Sequence, residues 1–257
     1  MESLSQSVAT AIQSPDYARL SVIFTSQWQS LGQGEQRTLA SHFIKTAIAS
    51  PSFFPDAFRS PQIMTVITTT LNHLPPTVEN AADNALRQKI FDYKLNEEQD
   101  FSTAARILSG LRMEENEGSV YYMPPIERCD VFVKVAECYL EEDLTVEAEG
   151  AVTKAGTIIE ATGISISAEN EVKDERTVTL LLRYKSTYAR VLDANRKFLQ
   201  AAMKYHDLST AYLHTDAIDA DDLLSMLGRA VTCAILSPNS AQRQRYVETF
   251  LYRVFLS

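Results

Sequence analysis

Three alanines, Ala105, Ala148 and Ala202, occupy equivalent places in three helix–turn–helix patterns, 43 and then 54 residues apart. In the clearest copy, Leu181, Tyr184, Tyr188 and Val191 share one helical face, and residues 193–197 form a polar connector. Phe198, Ala201, Ala202, Tyr205 and Leu208 then line the return helix. Upstream, Val131, Val135, Ala136 and Tyr139 precede the charged turn Glu141, Glu142, Asp143, and Ala148, Val152 and Ala155 follow it. The first copy sets Tyr93 and Leu95 before a turn at 96–100, with Phe101, Ala104, Ala105 and Leu108 after it. Alanines facing aromatics let paired helices approach closely, and each pair leaves an apolar face for the next. A helical period on the order of 40 residues therefore predicts an all-α chain, a right-handed superhelix of tetratricopeptide-like hairpins. The longer second interval contains the polar stretch Ala161 to Arg176, which reads as a loop extension.

Two regions are expected. Residues 1–89 read as a divergent N-terminal helical arm, and 90–257 as the repeats. In the arm, Leu4, Val8 and Ile12 predict an opening helix that stops at Ser14 and Pro15. A second helix spans Tyr17 to Leu31 with the single tryptophan, Trp28, and a third spans Glu35 to Ala49. Gly32 and Gly34 break the chain between them. Ile63 to Leu74 is rich in threonine and β-branched residues, yet its helical neighbours and the lack of a pairing partner favour a helix. Residues 113–125 form a break with two prolines, Pro124 and Pro125, beside Tyr121, Tyr122 and Met123. Asp221 to Leu236 predicts the last clear helix, with Leu224, Leu227, Val231 and Ala234 in register, and residues 237–240 both stop it and start another.

Apolar residues make up 45% of the chain, enough for a substantial core and too many for wholesale disorder. A net charge of −9 argues against nucleic acid as a partner, because phosphate neutralisation needs clustered lysine and arginine. The pairs Arg196–Lys197 and Arg243–Arg245 read as helix-end residues, or as contacts for acidic partner surfaces. No apolar run approaches the roughly 20 residues that span a bilayer, so no membrane partner is expected. The first residues lack the basic start and apolar centre of a secretory signal. Cys129, Cys138 and Cys233 are odd in number and widely spaced, which fits free thiols in the reducing cytoplasm and nucleus.

Catalytic patterns are weak. His42, His73, His206 and His214 lie far apart and form neither H-x-H nor H-E-x-x-H, so no metal is expected. His206, Asp207 and Ser209 have triad residue types, but adjacency in sequence does not give triad geometry, and a helix-end cluster is the better reading. Cys129 and Cys138 are too far apart for a CxxC motif. Gly32 and Gly34 do not begin a dinucleotide fingerprint, because Arg37 stands where the third glycine would be. Glu141, Glu142 and Asp143 lack a calcium loop and read as a solvated turn. Tyr121 and Tyr122 are either partner anchors in a proline-bounded loop or packing residues over the repeats. The chain is expected to be no enzyme and to bind no cofactor; no partner-contacting residue can be singled out.

The segments Asp100 to Leu111, Val133 to Gly156 and Arg183 to Ser209, and more weakly Ala230 to Arg245, resemble the subunit 4 family of the COP9 signalosome, helical-repeat scaffolds of the PCI type. The ordered series YLEED-x-x-x-AE then YARVLD-x-x-R-K-F-x-x-AA carries the resemblance, which covers roughly half the chain. It implies protein–protein scaffolding within the signalosome, which removes the ubiquitin-like modifier Nedd8 from cullin–RING ubiquitin ligases. The implied partners are the other signalosome subunits and cullin–RING components, with the repeats as the substrate-facing arm. Such proteins continue into a winged-helix module, expected to be missing from 257 residues. The rivals are a paralogous proteasome-lid scaffold and a free-standing repeat adaptor for short peptides.

Overall fold

Among the described residues every regular element is a helix, as the hairpin pattern requires. The computed structural model describes residues 2–163, 175–211 and 219–256, with nothing said of the side chains at 55, 211 and 249–256. Much of the 161–176 extension and all of His214 therefore lie outside the described residues. Packing divides the chain into two units, Met1–Met123 and Pro124–Ser257. The expected boundary at 89/90 falls within α6 (Ala82–Tyr93), inside the first of these units.

In the first unit α1 (Glu2–Gln13) is followed by α2 (Tyr17–Val22), capped by the Asp16 carboxylate, which accepts from the Arg19 N–H at 3.0 Å. The run expected to continue as helix to Leu31 instead widens into a π-turn at Ile23–Gln27 and tightens into a 3-10 turn at Trp28–Ser30. That widening accompanies the aromatic packing: Phe24 contacts both Trp28 and Phe43 with ring centres 5.2 Å apart. Gly32 caps α3 (Gln33–Ala49) and donates its N–H to the Glu35 carboxylate at 3.1 Å, while Gly34 sits inside the first turn rather than breaking the helix. The short α4 (Phe54–Ala57) leads to α5 (Pro61–Asn72), so the threonine-rich segment is helical. Most of its threonines turn their hydroxyls back onto helix carbonyls. Hairpin α6 (Ala82–Tyr93) and α7 (Phe101–Ser109) closes the unit, with Ala104, Ala105 and Leu108 buried.

Among its described residues the second unit has six helices: α8 (Pro125–Glu141), α9 (Thr145–Thr162), α10 (Glu175–Ala194), α11 (Phe198–Ala211), α12 (Ala220–Leu236) and α13 (Ala241–Leu256). Two of its hairpin turns are built alike. Asp143 and Arg196 adopt left-handed backbone, at φ 55° and 58°. The next residue then donates its N–H five residues back, Leu144 to Tyr139 and Lys197 to Leu192. This is a left-handed C-cap made without the usual glycine. Ala148 and Ala202 are fully buried one turn after it.

One register differs in part from expectation: of the expected set on α12, Ala234 is buried but Leu224 and Val231 are not. On α12 the buried residues are Leu223, Ala230, Cys233 and Ala234, whereas Leu224 is 67% and Val231 38% exposed. The helix carries two overlapping apolar stripes. The one with small residues seats against Ala201, Ala202 and Tyr205 of α11, because small side chains allow the closer approach.

Candidate functional site

In the second unit the hairpins are joined by a ladder of ion pairs. Basic residues recur every seven positions along α10 and just past it: Arg176, Arg183, Arg190 and Lys197. A spacing of seven keeps them on one helical face. Opposite stand acidic residues of α8 and α9. Arg176 pairs with Glu127 at 3.7 Å, Arg183 with Asp130 at 2.9 Å and Glu137 at 2.5 Å, Arg190 with Glu141 at 2.8 Å, and Lys197 with Glu149 at 2.5 Å. Asn195 adds a hydrogen bond to Glu149 at 2.9 Å. Arg183 is the half-buried centre. Burial works against its charge, but Glu137 and Asp130 outweigh that, and its pKa is raised. The exposed rungs each contribute about 0–1 kcal/mol; their value is in fixing which helix face meets which. The sevenfold spacing is written in the sequence, but only the opposing carboxylates of α8 and α9, distant in the chain, give it meaning.

Beside the ladder, α9, α10 and α11 enclose a groove of about 590 Å³. Tyr184 and Tyr188 line it as nearly parallel rings, with centres 6.1 Å apart and planes 9° apart. Lys204 lies over the Tyr188 ring at 5.9 Å. The Tyr184 phenol rests on the bare backbone of Gly156, where an added Cβ would stand 2.5 Å from its oxygen. Burial, then neighbouring Tyr188, pushes that phenol up to about 12. The two tyrosines expected on a buried face are thus half-buried groove residues, while Leu181 and Val191 of the same set are fully covered.

The remaining sequence candidates fall into structural roles. Tyr121 is 3% exposed and internal to the first unit. Its hydroxyl accepts from the Val78 N–H at 2.8 Å and donates to fully buried Asp83 at 3.0 Å. Arg112 donates to the same hydroxyl at 3.1 Å and pairs with Asp83 at 3.3 Å. Tyr121 is therefore a packing residue that ties the loop to α6 and is not available as a partner anchor; Tyr122 and Met123 remain half-buried. His42 and His73 bond to the backbone carbonyls of Ser5 and Thr69. His206 is buried, but Asp207 is 69% exposed with its oxygen 4.0 Å from the ring, and Ser209 donates to the His206 carbonyl. These three do not form a triad.

Cys129, Cys138 and Cys233 are buried free thiols, pushed up to about 11, 11 and 12, first by burial and then by nearby carboxylates. Among the turn residues, Glu141 serves the ladder. Lys197 does likewise, Arg196 occupies the left-handed cap, and Arg243 donates to the Ala234 carbonyl at the end of α12 at 2.9 Å. Among the described residues no three His, Cys, Asp or Glu side chains gather as a metal site. None of the described helices is long and apolar enough to cross a membrane.

Residues 77–220, more than half the chain, match the family model described as PSMD12/CSN4, N-terminal. The match contains the α6–α7, α8–α9 and α10–α11 hairpins. Several curated relatives carry the name COP9 signalosome complex subunit 4. The protein of Arabidopsis thaliana is 34% identical over 189 residues, 72% of this chain and 43% of the relative. That of Drosophila melanogaster is 30% identical over 151 residues, 59% and 32% respectively. That of Emericella nidulans is 28% identical over 156 residues, 61% and 33%. The chain thus spans less than half the length of the relatives it matches. Its all-helical hairpins, the extent of the model match and the shared relatives make one case: the chain belongs to the PSMD12/CSN4 N-terminal family of helical-repeat scaffold subunits.

Proposed function

We propose that this chain is a non-catalytic scaffold arm of the COP9 signalosome, supporting removal of Nedd8 from cullin–RING ubiquitin ligases through protein–protein contacts. The observation that carries the reading is the 34% identity to a relative named as signalosome subunit 4, extending over 72% of the chain. The fold suits the role. Ladder-locked hairpins present long helix faces and supply rigidity, the property a subunit needs to hold partners at fixed spacing. The other signalosome subunits and cullin–RING components are the proposed partners, and cytoplasm and nucleus the proposed sites of action.

The test is affinity purification of the tagged chain from its own cells at moderate salt, with the co-purifying proteins identified by mass spectrometry. Recovery of signalosome subunits is the expected result. Proteasome-lid subunits would transfer the chain to the paralogous scaffold, and recovery of neither set would refute the scaffold reading.

A further inference from the structure

The bulky apolar stripe of α12 is left to solvent. Leu224 and Ile235 are 67% and 66% exposed, and Leu227 is half-buried at the stripe's edge. At about 100° per residue, Leu224, Gly228, Val231 and Ile235 fall within about 60° of one another, on a single strip. Contiguous exposed apolar surface of this kind marks an interaction face. Gly228 is its odd member. It is exposed in mid-helix, and a Cβ built there meets nothing within 4 Å. No described neighbour therefore requires a glycine, although glycine is a poor helix former. Bare backbone in an apolar strip admits close approach by a group from outside.

The strip is complementary to itself when reversed. Laid antiparallel on a copy of itself, Leu224 falls opposite Ile235 and Gly228 opposite Val231, because both pairs are centred between Arg229 and Ala230. The mean directions of the two pairs around the helix also coincide, so one twofold axis serves both. Val231 of each copy then meets the bare Gly228 of the other. Leu224 arrives beside Ile235, at a cleft of about 150 Å³ that α12 forms with Tyr246 and Val247 of α13. A cavity of that size takes a benzene-sized apolar group, and so a leucine side chain. Charge favours the same orientation. Asp219, Asp221 and Asp222 are exposed at the start of α12. At its other end Arg243 donates to the carbonyls of Ala234 and Ile235, at 2.9 and 3.4 Å, and pairs with no described carboxylate. Antiparallel packing brings the acidic end of each copy to the Arg243 end of the other, whereas parallel packing sets aspartates against aspartates.

We propose that this face of α12 is an isologous contact for a second copy of the chain. The two α12 helices pack antiparallel about a twofold axis beside Gly228, with Leu224 of each copy seated in the α12–α13 cleft of the other. A contact of one helix and one cleft per copy belongs at the lower end of specific interfaces, about 1,200 Å² in total, so a micromolar dissociation constant is expected. The inference does not rest on the scaffold role proposed above.

The test is sedimentation equilibrium of the full 257-residue chain from about 1 to about 200 μM, with a monomer–dimer equilibrium as the expected result. Gly228→Leu is expected to weaken association tenfold or more. The same variant should melt no lower than the parent, because its side chain meets open space within one copy and gains helix propensity. Loss of the dimer therefore cannot be mistaken for loss of the fold. Leu224→Glu should weaken association to a similar extent. Orientation is read by cysteine crosslinking under mild oxidation, the native thiols being buried. Leu224→Cys mixed with Ile235→Cys should crosslink, and neither variant alone should, because like positions lie about 16 Å apart along the antiparallel pair. A chain that stays monomeric throughout, association unchanged by Gly228→Leu, or crosslinking of Leu224→Cys alone would each overturn the assignment.

Discussion

Helix α9 carries two glycines whose replacement by alanine has opposite expected effects. Gly150 is exposed, and a Cβ built there meets nothing within 4 Å. Gly150→Ala should therefore gain the propensity difference of about 1 kcal/mol. Gly156 gains the same propensity, but its new methyl would stand 2.5 Å from the Tyr184 oxygen. The Tyr184 ring is held by the cluster of Cys129, Val133, Ala155 and Leu180 and by stacking on Tyr188, so it cannot swing away freely. Overpacking of this kind costs about 1–3 kcal/mol, which makes Gly156→Ala neutral to about 2 kcal/mol destabilising. The two variants should then differ by about 1–3 kcal/mol. Removing the obstructing atom with Tyr184→Phe on the Gly156→Ala background should recover much of the loss. Because the chain has two packing units, one melting temperature need not report α9; hydrogen exchange of the α9 and α10 amides reads the affected helices directly. Equal stabilisation by both alanines would refute the close approach of α9 to Tyr184.

The other predictions use the caps, the thiols and the ladder. Arg196→Gly should raise stability by about 1 kcal/mol in urea unfolding, because the left-handed backbone at φ 58° strains any side chain with a Cβ. Asp100 caps α7 by accepting the Thr103 N–H at 3.0 Å, and that bond holds its carboxyl below the usual range. Asp100→Ala should cost about 1 kcal/mol above pH 5. The difference should shrink as pH falls through the carboxyl's lowered pKa, since a depressed acid stabilises only while ionised. The buried thiols, at about 11, 11 and 12, have pKa values above those of the unfolded chain. Their contribution should be complete below about pH 8.5 and be lost as pH rises through those values, seen as alkaline unfolding with release of thiolate absorbance. Arg183→Met should cost about 1–3 kcal/mol, because it removes the cation paired with half-buried Glu137 and leaves Asp130 only Lys134, whereas Arg190→Met should cost less than 1 kcal/mol in the same denaturation assay.

How legible was the fold? The hairpins could be read because helix pairing depends on local periodicity and on small residues, and both are written at short spacing. Ala105, Ala148 and Ala202 are buried as their positions imply. Where two apolar stripes overlap, periodicity does not discriminate. On α12 the bulky set Leu224 and Val231 and the small set Ala230, Cys233 and Ala234 both repeat at helical spacing. The neighbour's shape, not the helix itself, decides between them. Tyr121 was ambiguous for a related reason. Its role depends on Asp83 and Val78, about 40 residues away, and no local pattern announces a long-range hydrogen bond.

The ladder shows what apolar pattern and charge pattern each contribute. Burial favours any arrangement that covers alanine, valine and leucine, and it tolerates a helix rotated or shifted by one turn. Along α10 such a shift of about 5.4 Å would move Arg183 away from Asp130 and Glu137 and break their charge-assisted bonds, while much of the apolar contact could re-form. The discrimination between registers therefore falls mainly on the half-buried central rung, at about 1–3 kcal/mol, with smaller terms from the exposed rungs. A variant exchanging the charges, Arg183→Glu with Glu137→Arg, should restore part of that discrimination. It should not restore all of it, because Asp130 would then face the introduced glutamate instead of an arginine. Measured by a double-mutant cycle in urea, the exchange should recover some, and less than all, of the loss seen with Arg183→Glu alone. Full recovery would mean that Asp130 takes no part in setting the register, and no recovery would mean that the contact is steric rather than electrostatic.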